Sequence, residues 1–155
     1  MKNKPLPDQL RPQTIDEVVG QEHILGHDSL IRLMIKNHKL YSLIFYGPPG
    51  TGKTTLALAL CHELNVPHCV FNAVIDSKAQ LVSIIEAAKA SVNGYVIILE
   101  EIHRLNKDKQ DILLPYIEKG IVHIFACTTE NPYFIVNPAI RSRCQLLELK
   151  PISSD

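Results

Sequence analysis

Residues 43–60 read LIFYGPPGTGKTTLALAL, and they restrict the possible folds more than any other part of the chain. An apolar run, "SLIFY" (42–46), stops at a cluster of glycines and prolines. Lys53, Thr54 and Thr55 follow, and then a Leu/Ala-rich segment that reads as a helix to about Leu64. The run before the cluster is short and apolar enough for a buried strand. The eight residues GPPGTGKT satisfy G-x-x-x-x-G-K-[ST] through Gly47, Gly52, Lys53 and Thr54. A loop that wraps a phosphate chain with its own backbone N–H groups needs close approach and unusual dihedrals, hence Gly47, Gly50 and Gly52. Pro48 and Pro49 stiffen it beforehand and reduce the entropy lost on binding. Thr51 completes the loop. The helix that follows adds its N-terminal dipole and free N–H donors. Lys53 then reaches the β- and γ-phosphates, the Thr54 hydroxyl binds Mg²⁺, and Thr55 continues the first turn. With glycine at about 7% of residues, the four fixed positions coincide by chance well under one time in a hundred in such a chain. The loop alone does not separate an ATPase from a kinase or a GTPase.

A second motif narrows the chemistry. "VIILEEIHR" (96–104) ends an apolar strand in two adjacent carboxylates, Glu100 and Glu101. Paired acids at a strand end are commonly just solvated. On a sheet that also carries a phosphate loop, the strand end opens onto that loop. Glu100 is then placed to orient Mg²⁺ and its waters, and Glu101 to polarise the water that attacks the γ-phosphate. A small-molecule kinase has no need of a water-activating carboxylate, so the second glutamate favours hydrolysis. "CTTENP" (127–132) closes the next strand. Thr129 is the first choice, and Asn131 the second, for holding the lytic water or the γ-phosphate. Capping of the following turn is the equally available alternative for each. "RSRC" (141–144) supplies two arginines, suited either to stabilising phosphoryl charge across a subunit boundary or to a surface ion pair. His103 reads mainly as structural, with a role behind the carboxylates as the alternative.

Around these motifs, strand and helix signals alternate. "TIDEVVG" (14–20) reads as a short helix capped by Thr14 and stopped by Gly20. "DSLIRLMIKNHKL" (28–40) reads as a helix with Asp28 at its N-cap. "HCVFNAV" (68–74) is a strand. Ser77 and Gln80 form a capping-box signature for a helix with Leu81, Ile84, Ile85, Ala88 and Val92 on one face, ended by Gly94. "YVIILE" (95–100), "IVHIFACT" (121–128) and "QLLELK" (145–150) are further strands, and Asn106 caps a helix to about Lys119 that contains Pro115. The pattern predicts one α/β domain with a doubly wound, mostly parallel five-stranded sheet. Residues 1–13 are Pro-rich and polar and read as an extended arm ahead of a core over 14–155.

Composition excludes several alternatives. Sixteen Lys+Arg balance 16 Asp+Glu, which argues against a grip on nucleic acid through bulk basicity. The four cysteines have neither C-x-x-C nor zinc-ligand spacing and read as reduced thiols. "MKNKPLPDQLRP" is not a secretory leader, and no run approaches a membrane span. A soluble cytoplasmic protein is expected, with no membrane contact.

The order "RPQTIDEVVGQEHILG", "YGPPGTGKTT", "ILEEIHRLNKDKQDILLPYIEKG", "FACTTENPYFIVNPAIRSRC" and "LELKPIS" resembles the AAA+ ATPases of the RarA/MgsA group over essentially the whole chain. These are relatives of the Werner-helicase-interacting protein and, further off, of clamp-loader subunits and the RuvB motor. The resemblance implies a P-loop ATPase using ATP/ADP and Mg²⁺ at stalled or damaged replication forks, in bacterial cytoplasm at the nucleoid. It implies a homo-oligomer whose partners are DNA, at forks and single-strand/duplex junctions, and single-stranded-DNA-binding protein. It places Lys53 and Thr54 in the Walker A motif, Glu100 and Glu101 in Walker B, and Thr129 at sensor 1 with Asn131 close by. Arg143 is the arginine finger and Arg141 the reserve. Val18, Val19, Gly20 and Gln21 fall where such proteins cradle adenine. Two departures stand out. The family has Asp-Glu in Walker B where this chain has Glu100, whose extra methylene moves the carboxylate by ~1.5 Å. Family members also continue beyond "KPISSD" into a helical lid. An excised ATPase core without the lid is therefore expected, with weak nucleotide affinity and monomeric behaviour. A nucleotide-binding interaction module that hydrolyses poorly is the alternative from another class, and a clamp-loader or RuvB-type subunit is the third reading.

Overall fold

The computed structural model describes residues 29–151. The expected arm, the 14–20 helix, the adenine-cradle residues Val18, Val19, Gly20 and Gln21, and Asp28 lie outside the described residues. Elements alternate in the order α1 (Leu30–Asn37), β1 (Ser42–Tyr46), α2 (Lys53–Leu64), β2 (His68–Asn72), α3 (Lys78–Lys89), β3 (Val96–Glu100), a 3₁₀ turn (Ile102–Arg104), α4 (Lys107–Glu118), β4 (His123–Thr128), α5 (Pro132–Ile135), α6 (Pro138–Arg141) and β5 (Cys144–Glu148).

The five strands form one sheet in the order β2-β3-β4-β1-β5, and every pairing is parallel. Parallel neighbours need crossovers, and the helices that supply them cover both faces of the sheet. That is why β1, β3 and β4 read as unbroken apolar runs. The pleat divides each run between two cores. Leu43, Phe45, Val96, Ile98, Phe125 and Cys127 face α1 and α2 through Ile31, Met34, Leu56 and Leu60. Ile44, Ile97, Leu99, Ile124 and Ala126 face α3 and α4 through Leu81, Ile85, Leu113 and Ile117. Phe45 and Phe125 meet edge to face at 6.4 Å between centroids in the first core, an arrangement aromatic rings prefer. Register brings Tyr46 opposite Thr128 and Glu100 opposite Cys127. The carboxyl ends of β1, β4 and β3 thus finish level, at the edge where α/β sheets bind ligands.

Local chemistry sets the element ends. The Ser77–Gln80 capping box forms as expected. Asn106 caps α4 by accepting the Lys109 N–H, and Pro115 sits inside that helix. Gly120 follows at φ +74°. Four expectations are corrected. Ser29, not Asp28, caps α1, by accepting the Arg32 N–H. β2 stops at Asn72 rather than residue 74, because Asn72 Oδ1 accepts the N–H groups of Val74 and Ile75 and turns the chain. α3 ends at Lys89, so Val92 lies beyond it and is 94% exposed instead of joining the buried face. β5 runs Cys144–Glu148 rather than 145–150.

Candidate active site

The loop between β1 and α2 is shaped by its glycines and by hydrogen bonds within it. Gly50 and Gly52 lie at φ +80° and +85° with nothing among the described residues within 4 Å of an added Cβ. Their glycine identity therefore answers to backbone conformation rather than crowding. Gly47 is different. A Cβ there would collide with the carbonyl oxygen of Leu149, whose own N–H is bonded to Tyr46 O at 2.7 Å. Thr51 is buried, and its hydroxyl donates to Pro48 O at 2.9 Å.

Helix α2 begins at Lys53 with Gly52 as N-cap and no side-chain cap. α3 and α4 instead spend Ser77 and Asn106 on their first turns. The leading N–H groups of a helix have no intrahelical partner. In α2 they stay available beside the loop, together with the dipole's positive end. Lys53 Nζ folds over the loop, donating to Gly47 O and Pro48 O at 2.9 Å each and to Thr51 Oγ1 at 3.3 Å. Burial lowers the pKa of its ammonium, and the charge of Glu101 opposes that shift.

The two acids take separate places. Glu100 closes β3, and its Oε2 accepts the Thr54 hydroxyl at 3.0 Å. Loop-helix and sheet thus meet through the pair of oxygens expected at the metal position. Glu101 turns away from the strand at φ +59°, a left-handed conformation rare outside glycine. Its carbonyl accepts the Arg104 N–H at 2.8 Å, and its Oε2 lies 3.2 Å from His103 Nε2. Among the described residues, no cluster of three or more His, Cys, Asp or Glu could itself hold a metal.

At the end of β4 the residues divide. Thr128 is buried, with its Oγ1 2.8 Å from His103 Nδ1. Thr129 is exposed at the strand mouth. Asn131 Oδ1 accepts the Tyr133 N–H and caps α5, so its carboxamide is engaged in the local turn. Arg141 donates to Tyr133 O at 2.9 Å and lies over the Tyr133 ring, clipping the α5–α6 segment together. Arg143 is exposed and reaches Glu118 at 3.5 Å. Thr128 was not singled out in the sequence, and His103 read mainly as structural; the structure joins the two side chains. The available signal was a polar residue ending an otherwise apolar strand. Cys127, on the same strand, interacts with Thr54 and with Lys53, and burial pushes its thiol up to about 12. It is a neutral wall of the site at ordinary pH.

Fold and site together define a class: a P-loop α/β domain, with its phosphate loop at the carboxyl edge of a parallel sheet and acids on a neighbouring strand. Within that class the chain belongs to the AAA family, since the profile of the "ATPase family associated with various cellular activities (AAA)" matches residues 43–151. It is 43% identical over 152 residues to the Replication-associated recombination protein A of Bacillus subtilis (strain 168), covering 98% of this chain and 36% of that protein. It is 36% identical over 154 residues to ATPase WRNIP1 of Dictyostelium discoideum, covering 97% of this chain and 18% of that protein. Among solved structures, a P216G mutant of Thermotoga maritima RuvB superposes with a TM-score of 0.78 at 29% identity, covering 93% of this chain and 50% of that one. The structure described as the T. maritima RuvB Holliday junction branch migration motor gives 0.74 at 30% identity, covering 90% and 48%. The chain spans about a third of the length of the curated bacterial relatives of that name. Among the described residues no helix is long and apolar enough to cross a membrane.

Proposed function

We propose that this chain binds ATP with Mg²⁺ and hydrolyses it, as the motor core of an ATPase that acts on DNA during replication and recombination. The observation that carries the reading is the Thr54–Glu100 hydrogen bond at 3.0 Å, which brings the phosphate loop and the acidic strand end into one site. Thr54 and Glu100 would hold Mg²⁺, which when bound neutralises charge on the phosphate oxygens. Gly47 through Thr55 wrap the phosphates, with Lys53 as the cation. Glu101 takes the proton of the attacking water. Thr129, beyond the end of β4, senses the γ-phosphate, with Asn131 as the alternative. Arg143, exposed and 3.5 Å from Glu118, is the first choice for a neighbouring subunit's nucleotide, and Arg141, engaged with Tyr133, the reserve. The adenine role of Val18 to Gln21, which lie outside the described residues, is proposed on the family resemblance alone.

The DNA role is supported by the names of the relatives above. Forks or strand junctions as substrate, single-stranded-DNA-binding protein as partner, and homo-oligomer formation by a full-length protein are proposals that extend the family resemblance beyond those names; this chain by itself is expected to be a monomer. Single-turnover ATP hydrolysis at high protein concentration tests the chemistry. A general base contributes about 10²–10⁴-fold, so Glu101→Gln should keep ATP binding and lose at least ~100-fold in rate. Hydrolysis by that variant at the parental rate would remove Glu101 from the role. A second reading, a nucleotide-binding module with slow turnover, is favoured by one observation. Glu100, longer than the aspartate it replaces, touches Thr54 directly and leaves less room for a bridging water.

A further inference from the structure

Behind Glu101 runs a chain of side-chain contacts. Thr128 Oγ1 lies 2.8 Å from Nδ1 of His103, and His103 Nε2 lies 3.2 Å from Oε2 of Glu101. A third contact adds to it: the Glu130 N–H donates to Thr128 Oγ1 at 3.0 Å, which takes one of that oxygen's two lone pairs and leaves its proton free to donate to His103 Nδ1. The Glu101 carboxylate sets the polarity of the chain. A neutral imidazole whose Nδ1 accepts carries its proton on Nε2, the nitrogen facing the carboxylate. The opposite neutral tautomer would set a lone pair against a carboxylate oxygen, and an ionised carboxylate only accepts.

The two ends of the chain differ in rigidity. Thr128 is 2% exposed, and its carbonyl accepts the N–H of Gly47, the first residue of the phosphate loop, at 3.2 Å. The His103 side chain is 15% exposed, whereas that of Glu101 is 44% exposed on a left-handed residue. A half-exposed glutamate otherwise samples several rotamers. The contact with His103 selects one of them and ties it, through Thr128, to the loop.

We propose that His103 is a positioning residue for hydrolysis: it holds the Glu101 carboxylate through Nε2–H and takes its own orientation from Thr128. This rests on the reading of Glu101 as the water-polarising carboxylate. The test is single-turnover ATP hydrolysis of the chain, with ATP affinity measured separately by calorimetry. His103→Ala should slow hydrolysis by ~10–100-fold, the scale of a small misplacement of a reacting group, with affinity unchanged within about twofold. His103→Gln, whose amide can still donate, should recover part of the rate. Thr128→Val should slow hydrolysis too, and should add little in the His103→Ala background, because the two act in series. A His103→Ala chain that hydrolyses ATP like its parent while Glu101→Gln does not would overturn the inference and spare the reading of Glu101. Full rate in both variants would overturn both. A readout independent of turnover is the imidazole tautomer, followed by long-range ¹H–¹⁵N NMR. The expected result is a protonated Nε2 and a bare Nδ1, with the preference weakened in Glu101→Ala. An Nδ1–H tautomer in the parent would also overturn the inference.

Discussion

Replacing Gly47 by alanine should harm the fold more than the same change at Gly50, although both glycines belong to one loop and both have positive φ. At Gly50, φ is +80° and no described residue lies within 4 Å of the new Cβ. Only the backbone conformation then resists, at about 1–2 kcal/mol. At Gly47, φ is +152°, and the Cβ runs into the Leu149 carbonyl oxygen. That oxygen belongs to main chain, not to a flexible side chain. Leu149 is 1% exposed and its N–H is fastened to Tyr46 at 2.7 Å, so the segment cannot step aside without unpairing beyond the end of β5. Forcing atoms into a packed site costs typically about 1–3 kcal/mol, on top of a backbone term of about 1–3 kcal/mol. Gly47→Ala should therefore lose about 2–6 kcal/mol, against about 1–2 kcal/mol for Gly50→Ala. Urea unfolding followed by circular dichroism reads the difference. With a slope of about 1–3 kcal/mol/M, the two midpoints should stand roughly 0.5–2 M apart. Equal midpoints, or a lower one for Gly50→Ala, would refute the claim that the Leu149 segment backs the first glycine of the loop.

Two further outcomes concern the site, and a third concerns the opposite end of β4. Glu100→Asp should raise kcat at saturating Mg²⁺ by restoring room for a water between the carboxylate and the metal; an equal or lower kcat counts against the shell argument. Asn131→Ala should cost about 1 kcal/mol through the lost cap, whereas Thr129→Val should stay within ~0.5 kcal/mol of its parent in stability and lose turnover. The opposite split would exchange the two roles. His123 is held below its ordinary pKa by burial, and its Nδ1 is buried without a hydrogen-bond partner. The unfolded chain therefore binds the extra proton first. The stability this neutral imidazole allows is complete above the unfolded value near pH ~6.5 and is lost as pH falls through the folded value. His123→Leu should flatten the decline of the urea midpoint on acidification, and an unchanged slope would exclude His123 as its source.

The sheet was legible because its information is local. "SLIFY" is bounded by the loop glycines and matches β1 residue for residue, and the run from Lys53 to Leu64 matches α2. The Ser77–Gln80 and Asn106 caps likewise write their helix starts into neighbouring letters. Errors arose where two adjacent residues could do one job, as with Asp28 and Ser29. They also arose where periodicity was carried past a stop, as with Val92. The ending of β2 depended on Asn72 bonding its own downstream backbone, which apolar patterning does not register. Within the site, the loop was written in consecutive residues, but the contacts that join it to the sheet were not. Thr54 and Glu100 are 46 positions apart, and Thr128 and His103 are 25 apart. Such pairs are set by parallel register and side-chain direction. For the same reason the sequence left turn capping equally open to Thr129, the first choice, and Asn131, the second, although Asn131 caps a helix and Thr129 stands at the strand mouth.

The central claim is that the Gly47–Thr55 segment grips a nucleotide's phosphates, with Lys53 as their cation. Calorimetric titration of ATP and Mg²⁺ into the chain and into its Lys53→Ala variant tests it most directly. Hydrogen bonds to charged groups contribute about 1.5–3 kcal/mol. The variant should therefore bind at least ~10-fold more weakly, with its urea midpoint near that of the parent. Equal ATP affinity in the two proteins would contradict the account.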